Sequence, residues 1–414
     1  YKNGALCCEG VNLADIAEAV GTPCYVYSTA TLERHYQVFR DAFLPRNVLV
    51  AFAVKANANI AVIATLARKG AGADTVSRGE IERALKAGVL AEKIIFSGVG
   101  KTADELAFAV KAGVHEINVE SRAELELLSE IARGLGKKAR IAIRVNPDVG
   151  AGGHEKISTG KGDAKFGVSP EQALALYTRA AGDPHLHAQG LAVHIGSQIR
   201  DLAPLEAAFR VMRSLAEKLR SEGIAIERLD LGGGLGVPYF NEPDPPSPVE
   251  YAAMVSRVFD GFEIGLSFEP GRMIAANAGV LLARVVRLQD RPRPIVVLDA
   301  AMNDLIRPAI YDAYHGIKPL KQATSPERAV DVVGPICETG DTFTRNRMLP
   351  PLEAGDLVAF MTAGAYGAVM ASTYNARPLV PEVLVSGDRF EVVRRRWDVA
   401  EQLKLESLPT WMES

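Results

Sequence analysis

The sequence predicts an α/β protein that combines a (β/α)8 barrel with an antiparallel β domain, and three observations carry this prediction. Short apolar runs rich in β-branched residues alternate with amphipathic stretches of helical spacing from residue 46 onward. Eight such runs fit within roughly 230 residues, a length and count typical of a closed barrel. Beyond residue 278 the long helices disappear, and short strands separated by turns replace them.

The barrel is predicted over residues 30–277, and several of its helices have recognisable end signals. Ser121 begins a capping-box pattern, while Gly88 and Gly113 stand where helices would end. Because each crossover helix returns the chain to the same end of the sheet, the strands should be parallel. The predicted strands are 48–54, 72–76, 94–97, 116–119, 140–145, 190–194, 228–231 and 263–268. The predicted helices are 60–69, 78–87, 103–112, 122–134, 170–181, 202–222 and 248–259.

An open, doubly wound sheet is the competing fold for such an alternation. That fold normally places a phosphate-binding loop after its first strand. Here the glycine cluster Leu-Gly-Gly-Gly-Leu-Gly at 231–236 follows the seventh predicted strand. The position of the glycines therefore favours the closed barrel.

The β domain is predicted over residues 278–414, where turn signals such as Ser-Gly-Asp at 386–388 separate the strands. Its predicted strands are 280–288, 294–298, 329–333, 356–361, 378–385 and 390–395. The segment 1–29 contains a short helix at 13–20 and a strand at 24–27. This segment could pack on either domain, and we assign it to the β domain.

Composition limits the classes of function. A net charge of −3 gives no reason to expect nucleic acid or a membrane surface as a partner. No apolar run approaches the roughly 18–20 residues that span a bilayer, and residues 1–10 show no secretory pattern. The cysteines Cys7, Cys8, Cys24 and Cys337 lack metal-ligand spacing. We therefore expect a cytoplasmic protein with reduced thiols and no metal site.

Polar residues follow the predicted barrel strands at the end where barrel enzymes place their chemistry. This pattern indicates an active site without naming its reaction. The Gly-rich and charged stretch 151–164 is a candidate lid over it. The polar, small or charged residues at these strand ends are Lys55, Asn57, Asp74, Ser77, Ser97, Asn118, Arg144, Asn146, His194, Ser197, Gly232, Gly233, Gly234, Glu269 and Arg272.

Three of these features together match the chemical groups of pyridoxal phosphate. Lys55 follows an apolar strand and could present a neutral amine to an aldehyde. The glycines of 231–236 could offer backbone N–H groups to a phosphate. Glu269 could hold a protonated ring nitrogen. Each feature alone also has a structural explanation: an ion pair for Lys55 or Glu269, a tight turn for the glycines, and a core position for His194. In this combination His194 is better interpreted as a ring lying against the cofactor.

Eight motifs in chain order make the sequence resemble the fold type III, alanine-racemase-like barrel decarboxylases, and within them the diaminopimelate decarboxylase branch. The resemblance covers nearly the whole length. The motifs are Val-Lys-Ala-Asn (54–57), Gly-Ala-Asp-Thr-Val-Ser-Arg-Gly-Glu (72–80), Arg-Val-Asn-Pro-Asp (144–148), His-Ile-Gly-Ser-Gln (194–198), Gly-Gly-Gly-Leu-Gly (232–236), Glu-Pro-Gly-Arg (269–272), Cys-Glu-Thr-Gly-Asp (337–341) and Gly-Ala-Tyr-Gly (364–367). Two departures, Phe52 and Arg78, do not touch the core chemistry.

The resemblance implies a set of cofactor contacts. Lys55 would bind the aldehyde covalently, His194 would stack on the ring, and Glu269 would protonate the ring nitrogen. The other implied cofactor residues are Asp74, Ser197, Gly232, Gly233, Gly234, Gly271, Arg272 and Tyr366.

The resemblance also implies a reaction and an assembly. The substrate would be meso-2,6-diaminopimelate, which would be decarboxylated to L-lysine in the last step of lysine biosynthesis. Cys337 would be the proton donor, and Cys337 and Glu338 would reach the site from the second subunit of a homodimer with shared active sites. The implied substrate-binding residues are Arg272, Arg307, Tyr311, Glu338 and Tyr366. The end of diaminopimelate away from the reacting carbon keeps an amino group and a carboxylate, so it needs a cation and an anion together. These side chains provide both. An enzyme that forms a diamine would need only acids at that end.

Four alternatives remain to be weighed. Decarboxylases of ornithine, arginine or carboxynorspermidine share the cofactor site and differ only in the residues at the far end of the substrate. A racemase needs a second base, and the Cys337–Glu338 pair and the chain length argue against it. A catalytically silent relative would tend to lose Lys55 or Cys337, which are both present. A non-catalytic cofactor carrier would normally lack the β domain.

Overall fold

The computed structural model describes residues 1–150, 160 and 165–412, so the candidate lid, apart from Gly160, lies outside the described residues. The chain forms two compact units. The barrel unit comprises residues 32–275, and the β unit comprises residues 1–31 and 276–414. The first elements in the chain are β1 (Cys7–Cys8), β2 (Val11–Asn12), α1 (Leu13–Val20) and β3 (Cys24–Ser28).

Eight parallel strands close the barrel, which confirms the predicted fold. Successive strands along the chain are neighbours, and the last strand pairs with the first. The strands are β4 (Val48–Ala53), β5 (Gly72–Thr75), β6 (Ile94–Phe96), β7 (Glu116–Val119), β8 (Ala139–Val145), β9 (Leu186–Val193), β10 (Arg228–Asp230) and β11 (Gly265–Phe268). Strand β9 begins four residues earlier than predicted, because polar His187 and Gln189 interrupt its apolar pattern.

Helices connect the strands and begin at well-formed caps. The side chain of Thr102 accepts from the backbone of Glu105, whose carboxylate accepts from Thr102 in return. The same arrangement joins Ser247 and Glu250. Each cap satisfies backbone N–H groups that the helix itself leaves unbonded. The helices are α2 (Thr29–Asp41), α3 (Ile60–Ala67), α4 (Arg78–Lys86), α5 (Ala103–Ala112), α6 (Arg122–Gly134), α7 (Pro170–Ala181), α8 (Leu202–Ser221), α9 (Pro248–Val258) and α10 (Arg272–Ala275).

The β unit is built on one large sheet with the strand order β16-β15-β13-β12-β3-β18-β19. Strand β3 pairs with β12 in antiparallel and with β18 in parallel orientation. The pair β13 and β15 is also parallel, while the other pairs of the unit are antiparallel. Its elements after residue 276 are β12 (Gly279–Gln289), β13 (Ile295–Leu298), α11 (Arg307–Tyr311), β14 (Ile317–Pro319), β15 (Arg328–Val333), β16 (Thr342–Leu349), β17 (Leu357–Phe360), β18 (Glu382–Ser386), β19 (Arg389–Arg394) and α12 (Val399–Leu403).

Among the strands after residue 276, two were not predicted from the sequence, β14 and β16. Strand β16 lies at the edge of the sheet and exposes Arg345, Asn346 and Met348. An edge strand needs few apolar residues, so its sequence lacks the pattern that predicts a strand. Strand β14 is three residues long and ends at a proline. Hydrogen bonding to neighbouring strands, and not a local sequence pattern, makes these two segments strands.

The apolar face of helix α1 contributes to the core of the β unit. Leu13 and Ile16 pack in one buried cluster with Val26, Leu282 and Val383. Burial of such side chains stabilises the fold by about 1.5–3 kcal/mol each. Within the described part of the chain, no helix combines the length and the apolar character needed to cross a membrane.

Candidate active site

Lys55 lies in a short 3-10 turn, Val54–Ala56, directly after strand β4. Its Nζ atom donates to Oδ2 of Asp74 at a distance of 2.6 Å. The Asp74 side chain on neighbouring strand β5 is 0% exposed, whereas that of Lys55 is 31% exposed. The amine is therefore accessible while its counter-ion is fixed in the barrel wall.

A cavity of about 350 Å³ adjoins Lys55 at the C-terminal end of the barrel. The polar side chains lining it come from seven of the eight strands or from the residues that follow them. This is the end at which barrel enzymes of this type carry their chemistry. The lining polar residues are Lys55, Ser97, Asn118, Arg144, His194, Asp230 and Glu269.

His194, immediately after β9, has a neutral imidazole. The backbone N–H of Gly233 donates to its Nδ1 atom at 3.2 Å, so that nitrogen carries no proton. Burial lowers the pKa of His194 well below its ordinary value, and the positive charges of Lys55 and Arg144 lower it further. A neutral ring can lie against a flat cofactor without adding charge to the cavity.

Glu269, immediately after β11, lies where its surroundings favour the protonated form. Burial raises its pKa well above the ordinary value, and the negative charges of Asp230 and Asp74 raise it further. The Oγ of Ser97 lies 3.5 Å from Oε1 of Glu269. These effects favour a neutral carboxylic acid, which can donate a hydrogen bond.

Arg144 at the end of β8 is the cation on another side of the cavity. Its Nη1 donates to Oε1 of Glu120 at 2.8 Å, and both side chains are buried. Glu120 also accepts from the backbone N–H groups of Gly98 at 3.0 Å and Gly167 at 3.1 Å. One carboxylate therefore joins Arg144 to two loops of the barrel mouth.

The glycine run after β10 leaves no room for side chains. A Cβ on Gly232 would lie 2.3 Å from the carbonyl oxygen of Val193, and one on Gly233 would lie 2.2 Å from that of Glu269. Gly232 and Gly234 also have positive φ angles of 65° and 103°. The backbone can approach a ligand closely here because these residues are glycines.

Arg272 begins the short helix α10 and is buried. Its Nη2 donates to Oγ of Ser197 at 3.1 Å, and its Nη1 donates to the hydroxyl of Tyr239 at 2.7 Å. Gly271 precedes it, and a Cβ there would lie 2.9 Å from that of Ala56. The Ser197 and Glu269–Arg272 motifs are thus joined by side-chain contacts at the barrel mouth.

The remaining predicted site residues belong to the β unit. Arg307 at the start of α11 is buried, and its Nη1 lies 2.9 Å from Nε2 of His315. The Nδ1 of His315 is bonded to the carbonyl oxygen of Met361 at 2.9 Å, so Nδ1 carries the hydrogen and Nε2 accepts from Arg307. Tyr311 ends α11, and Tyr366 has a left-handed backbone with φ 56°.

Cys337 is exposed, and Glu338 accepts from the hydroxyl of Tyr374 at 2.8 Å. The Asp341 carboxylate accepts from the backbone N–H groups of Ile336 and Met302, each at 2.7 Å. It therefore connects the loop of Cys337 to the loop that precedes Arg307.

At the barrel mouth the structure places two buried acids that the sequence did not single out, Asp230 and Glu120. Each has a signal in retrospect. Asp230 stands between two leucines at the end of strand β10. Glu120 lies two residues after Asn118, on the same side of an extended chain. A polar residue in such a position points into the barrel only if the strand register places it there.

The residues of the barrel mouth fit pyridoxal phosphate. The buried Oδ1 of Asp74 lacks a hydrogen-bond partner among the described residues, so the site is polar beyond what the barrel itself needs. An accessible amine suits the aldehyde, the closely approachable glycine backbone suits the phosphate, and a neutral acid suits the ring nitrogen. Fold and site together define a pyridoxal-phosphate-dependent enzyme of the barrel class.

Comparison with known proteins narrows this class. The family model described as "Pyridoxal-dependent decarboxylase, pyridoxal binding domain" matches residues 29–276. The diaminopimelate decarboxylase of Zymomonas mobilis is 50% identical over 99% of this chain and 99% of its own length. The diaminopimelate decarboxylase of Pseudomonas aeruginosa is 49% identical over 99% of this chain and 98% of its own length. The chain belongs to the diaminopimelate decarboxylase family.

A solved structure is similar over nearly the whole chain. The diaminopimelate decarboxylase from Helicobacter pylori, complexed with L-lysine, is similar with a TM-score of 0.92 and 39% identity, covering 95% of this chain and 99% of that one. The similarity therefore extends over both the barrel and the β unit.

Proposed function

We propose that this protein catalyses the pyridoxal-phosphate-dependent decarboxylation of meso-2,6-diaminopimelate to L-lysine and carbon dioxide. The observation that carries the proposal is the placement of Lys55, His194 and the protonated Glu269 around one cavity in a chain of this family. The relative from Helicobacter pylori is a diaminopimelate decarboxylase complexed with L-lysine, which is the proposed product.

Lys55 is proposed to hold the cofactor aldehyde, and His194 to lie against the ring. The phosphate would be bound by Ser197 and by the backbone at 232–234 and 271–272. Tyr366 is proposed as a further contact. When bound, pyridoxal phosphate supplies an electron sink for the negative charge that the departing carboxylate leaves behind.

The residues of the barrel mouth are proposed to orient the Lys55 amine and to keep the ring nitrogen protonated. Asp74 holds the Lys55 ammonium in one direction through the 2.6 Å contact, which keeps the amine next to the cavity. Glu269 holds a proton at its carboxyl group for the ring nitrogen. His194 stays neutral, so it adds no positive charge that would disfavour protonation of the ring nitrogen.

The far end of the substrate is proposed to bind Arg272, Arg307, Tyr311, Glu338 and Tyr366. Cys337 is proposed to return a proton to the carbon that lost carbon dioxide. We propose that Cys337 and Glu338 act in the partner's site, so that the active form is a homodimer. All four cysteines are free, which supports the cytoplasm as the location.

The test starts from protein loaded with pyridoxal phosphate. Visible absorbance reports the cofactor bound to a lysine, and lysine and carbon dioxide are assayed after meso-diaminopimelate is added. We expect absorbance and lysine formation from the wild type and neither from Lys55→Ala. Absorbance without lysine formation would move the substrate to ornithine, arginine or a polyamine precursor, which the same assay tests. No absorbance in the wild type would contradict the role of Lys55.

A further inference from the structure

The strand next to the one that precedes Glu269 carries a second buried carboxyl group. Asp230 ends strand β10 and is 1% exposed. Strands β10 and β11 pair in parallel, which places Asp230 opposite Ser267, two residues before Glu269. The carboxyl groups of Asp230 and Glu269 are joined by a side-chain hydrogen bond. Two carboxyl groups can form such a bond only when one of them carries a proton.

The donors around the pair assign that proton to Glu269. Oδ1 of Asp230 accepts from the backbone N–H of Gly232 at 3.0 Å, and Oδ2 accepts from Nδ2 of Asn118 at 3.0 Å. Two N–H donors stabilise a carboxylate. The Ser97 contact to Glu269 is longer, at 3.5 Å. Asp230 is therefore the anion of the pair.

Other charged and titratable groups face the pair from the surrounding elements. Lys55 lowers the pKa of Glu269, whereas Asp74 raises the pKa of both acids. Every variant compared below retains these groups. A difference in ring protonation between the variants can therefore be assigned to Asp230 and not to the surrounding charges. The surrounding groups are Lys55 after β4, Asp74 on β5, Glu116 on β7, Arg144 on β8, His194 after β9 and Tyr251 on α9.

We propose that Asp230 is a positioning residue whose fixed negative charge retains the proton that Glu269 shares with the ring nitrogen of pyridoxal phosphate. The proposal rests on the proposed role of Glu269 at that nitrogen. Loss of the shared proton would leave two adjacent buried carboxylates, which is costly because burial removes the water that stabilises their charges. Asp230 therefore extends the pH range over which the ring stays protonated and accepts electrons well.

The bond from Gly232 gives Asp230 a second connection. Its Oδ1 contacts the first glycine of the run proposed to bind the phosphate, while its carboxyl group contacts the acid proposed for the ring nitrogen. The same side chain thus fixes both the glycine backbone and Glu269.

The experiment compares Asp230→Asn with Ser267→Ala, both loaded with pyridoxal phosphate labelled with 15N in the ring. Ser267 is the buried neighbour of Asp230 in the sheet, its hydroxyl lacks a partner among the described residues, and its replacement removes no charge. The 15N chemical shift reports ring protonation as a function of pH, and kcat is measured over the same range.

Asp230→Asn should lower the pH midpoint for loss of the ring proton by at least about one unit, the usual effect of a nearby charge. On the alkaline side kcat should fall about tenfold. Ser267→Ala should keep the wild-type midpoint. An unchanged midpoint in folded, cofactor-loaded Asp230→Asn would overturn the proposal. In that case lysine formation by the wild type would still support the proposed function, and only the role of Asp230 would be wrong.

Infrared spectroscopy of the cofactor-free protein tests the same idea if Asp230→Asn does not fold or bind cofactor. The difference spectrum between wild type and Glu269→Gln at neutral pH should contain the band of a protonated carboxyl group. Its absence would show that the pair holds no proton, and the proposal would then be wrong.

Discussion

Single side chains in the barrel mouth have protonation states that their surroundings fix. His194 is neutral because Gly233 donates to Nδ1 and because burial penalises the charged ring. That contact also ties the imidazole to the glycine run, so His194 has two separable features: a ring face and a hydrogen-bond acceptor.

Two substitutions at His194 distinguish these features. His194→Phe keeps a ring but leaves the Gly233 N–H without its acceptor, and we expect affinity for pyridoxal phosphate to fall about tenfold. His194→Asn can keep the acceptor but loses the ring. Titration of cofactor-free protein measures both affinities. Wild-type affinity in the Phe variant would show that the hydrogen bond has no role in cofactor binding.

Glu116, the first residue of β7, predicts a pH dependence of stability. Burial raises its pKa to about 8, with the charge of Asp230 contributing. Unfolding therefore releases a proton between the ordinary glutamate range and about pH 8, so the free energy of unfolding should decrease as pH rises through that window.

Glu116→Gln removes this titration, and its stability relative to wild type should improve by a few kcal/mol between pH 5 and pH 8.5. Urea unfolding at both pH values measures the difference. The exposed Glu92 provides the control, and Glu92→Gln should follow wild type. A Glu116→Gln protein whose stability parallels wild type at both pH values would contradict the assigned protonation.

The sequence predicts Lys55, His194 and Glu269 well as residues of one cavity, because each follows an apolar strand whose end must lie at the barrel mouth. Asp230 could not be predicted in the same way. It is the last residue of its strand rather than one that follows it, and whether such a residue faces inward depends on the register of pairing, which a strand of three residues does not reveal.

At the level of elements, the glycine run is the segment least tolerant of change. A methyl group on Gly233 would meet the backbone oxygen of Glu269, which cannot move without displacing the acid itself.

Gly233→Ala should therefore abolish cofactor binding and lower the melting temperature. Absorbance of the bound cofactor and thermal unfolding followed by circular dichroism measure the two effects. Gly100 lies in another loop of the barrel, and a Cβ there would meet nothing within 4 Å. Gly100→Ala should behave as wild type, and equal loss in both variants would show that the effect is not one of close approach.

Barrel elements were easier to predict than those of the β unit. Most residues of the barrel strands are buried, so apolar runs mark these strands in the sequence even where a polar residue interrupts them. Strand β16 pairs on one side and exposes several polar residues, and the parallel orientation of β13 with β15 arises from long-range pairing. Neither property is encoded in a local pattern.

In the whole molecule, the residues proposed for one reaction are divided between two units. Lys55 lies in the barrel unit, and Cys337 lies in the β unit. If sites are shared between subunits, neither side chain needs to act within its own chain.

Mixing inactive variants tests this arrangement. Lys55→Ala and Cys337→Ala, unfolded together in equal amounts and refolded, should regain about a quarter of wild-type activity through mixed dimers that carry one intact site. Each variant refolded alone is the control. A mixture as inactive as its components would show that both residues act within one chain.

Strand β3 has a consequence for how the protein is made. A nascent chain leaves the ribosome from its amino end, so β3 emerges long before β12 and β18, the strands on either side of it. The whole of residues 32–275 is synthesised in the interval. The barrel can therefore complete its hydrogen bonding during translation, while the unpaired edges of β3 have to be kept from other chains until β12 and β18 appear.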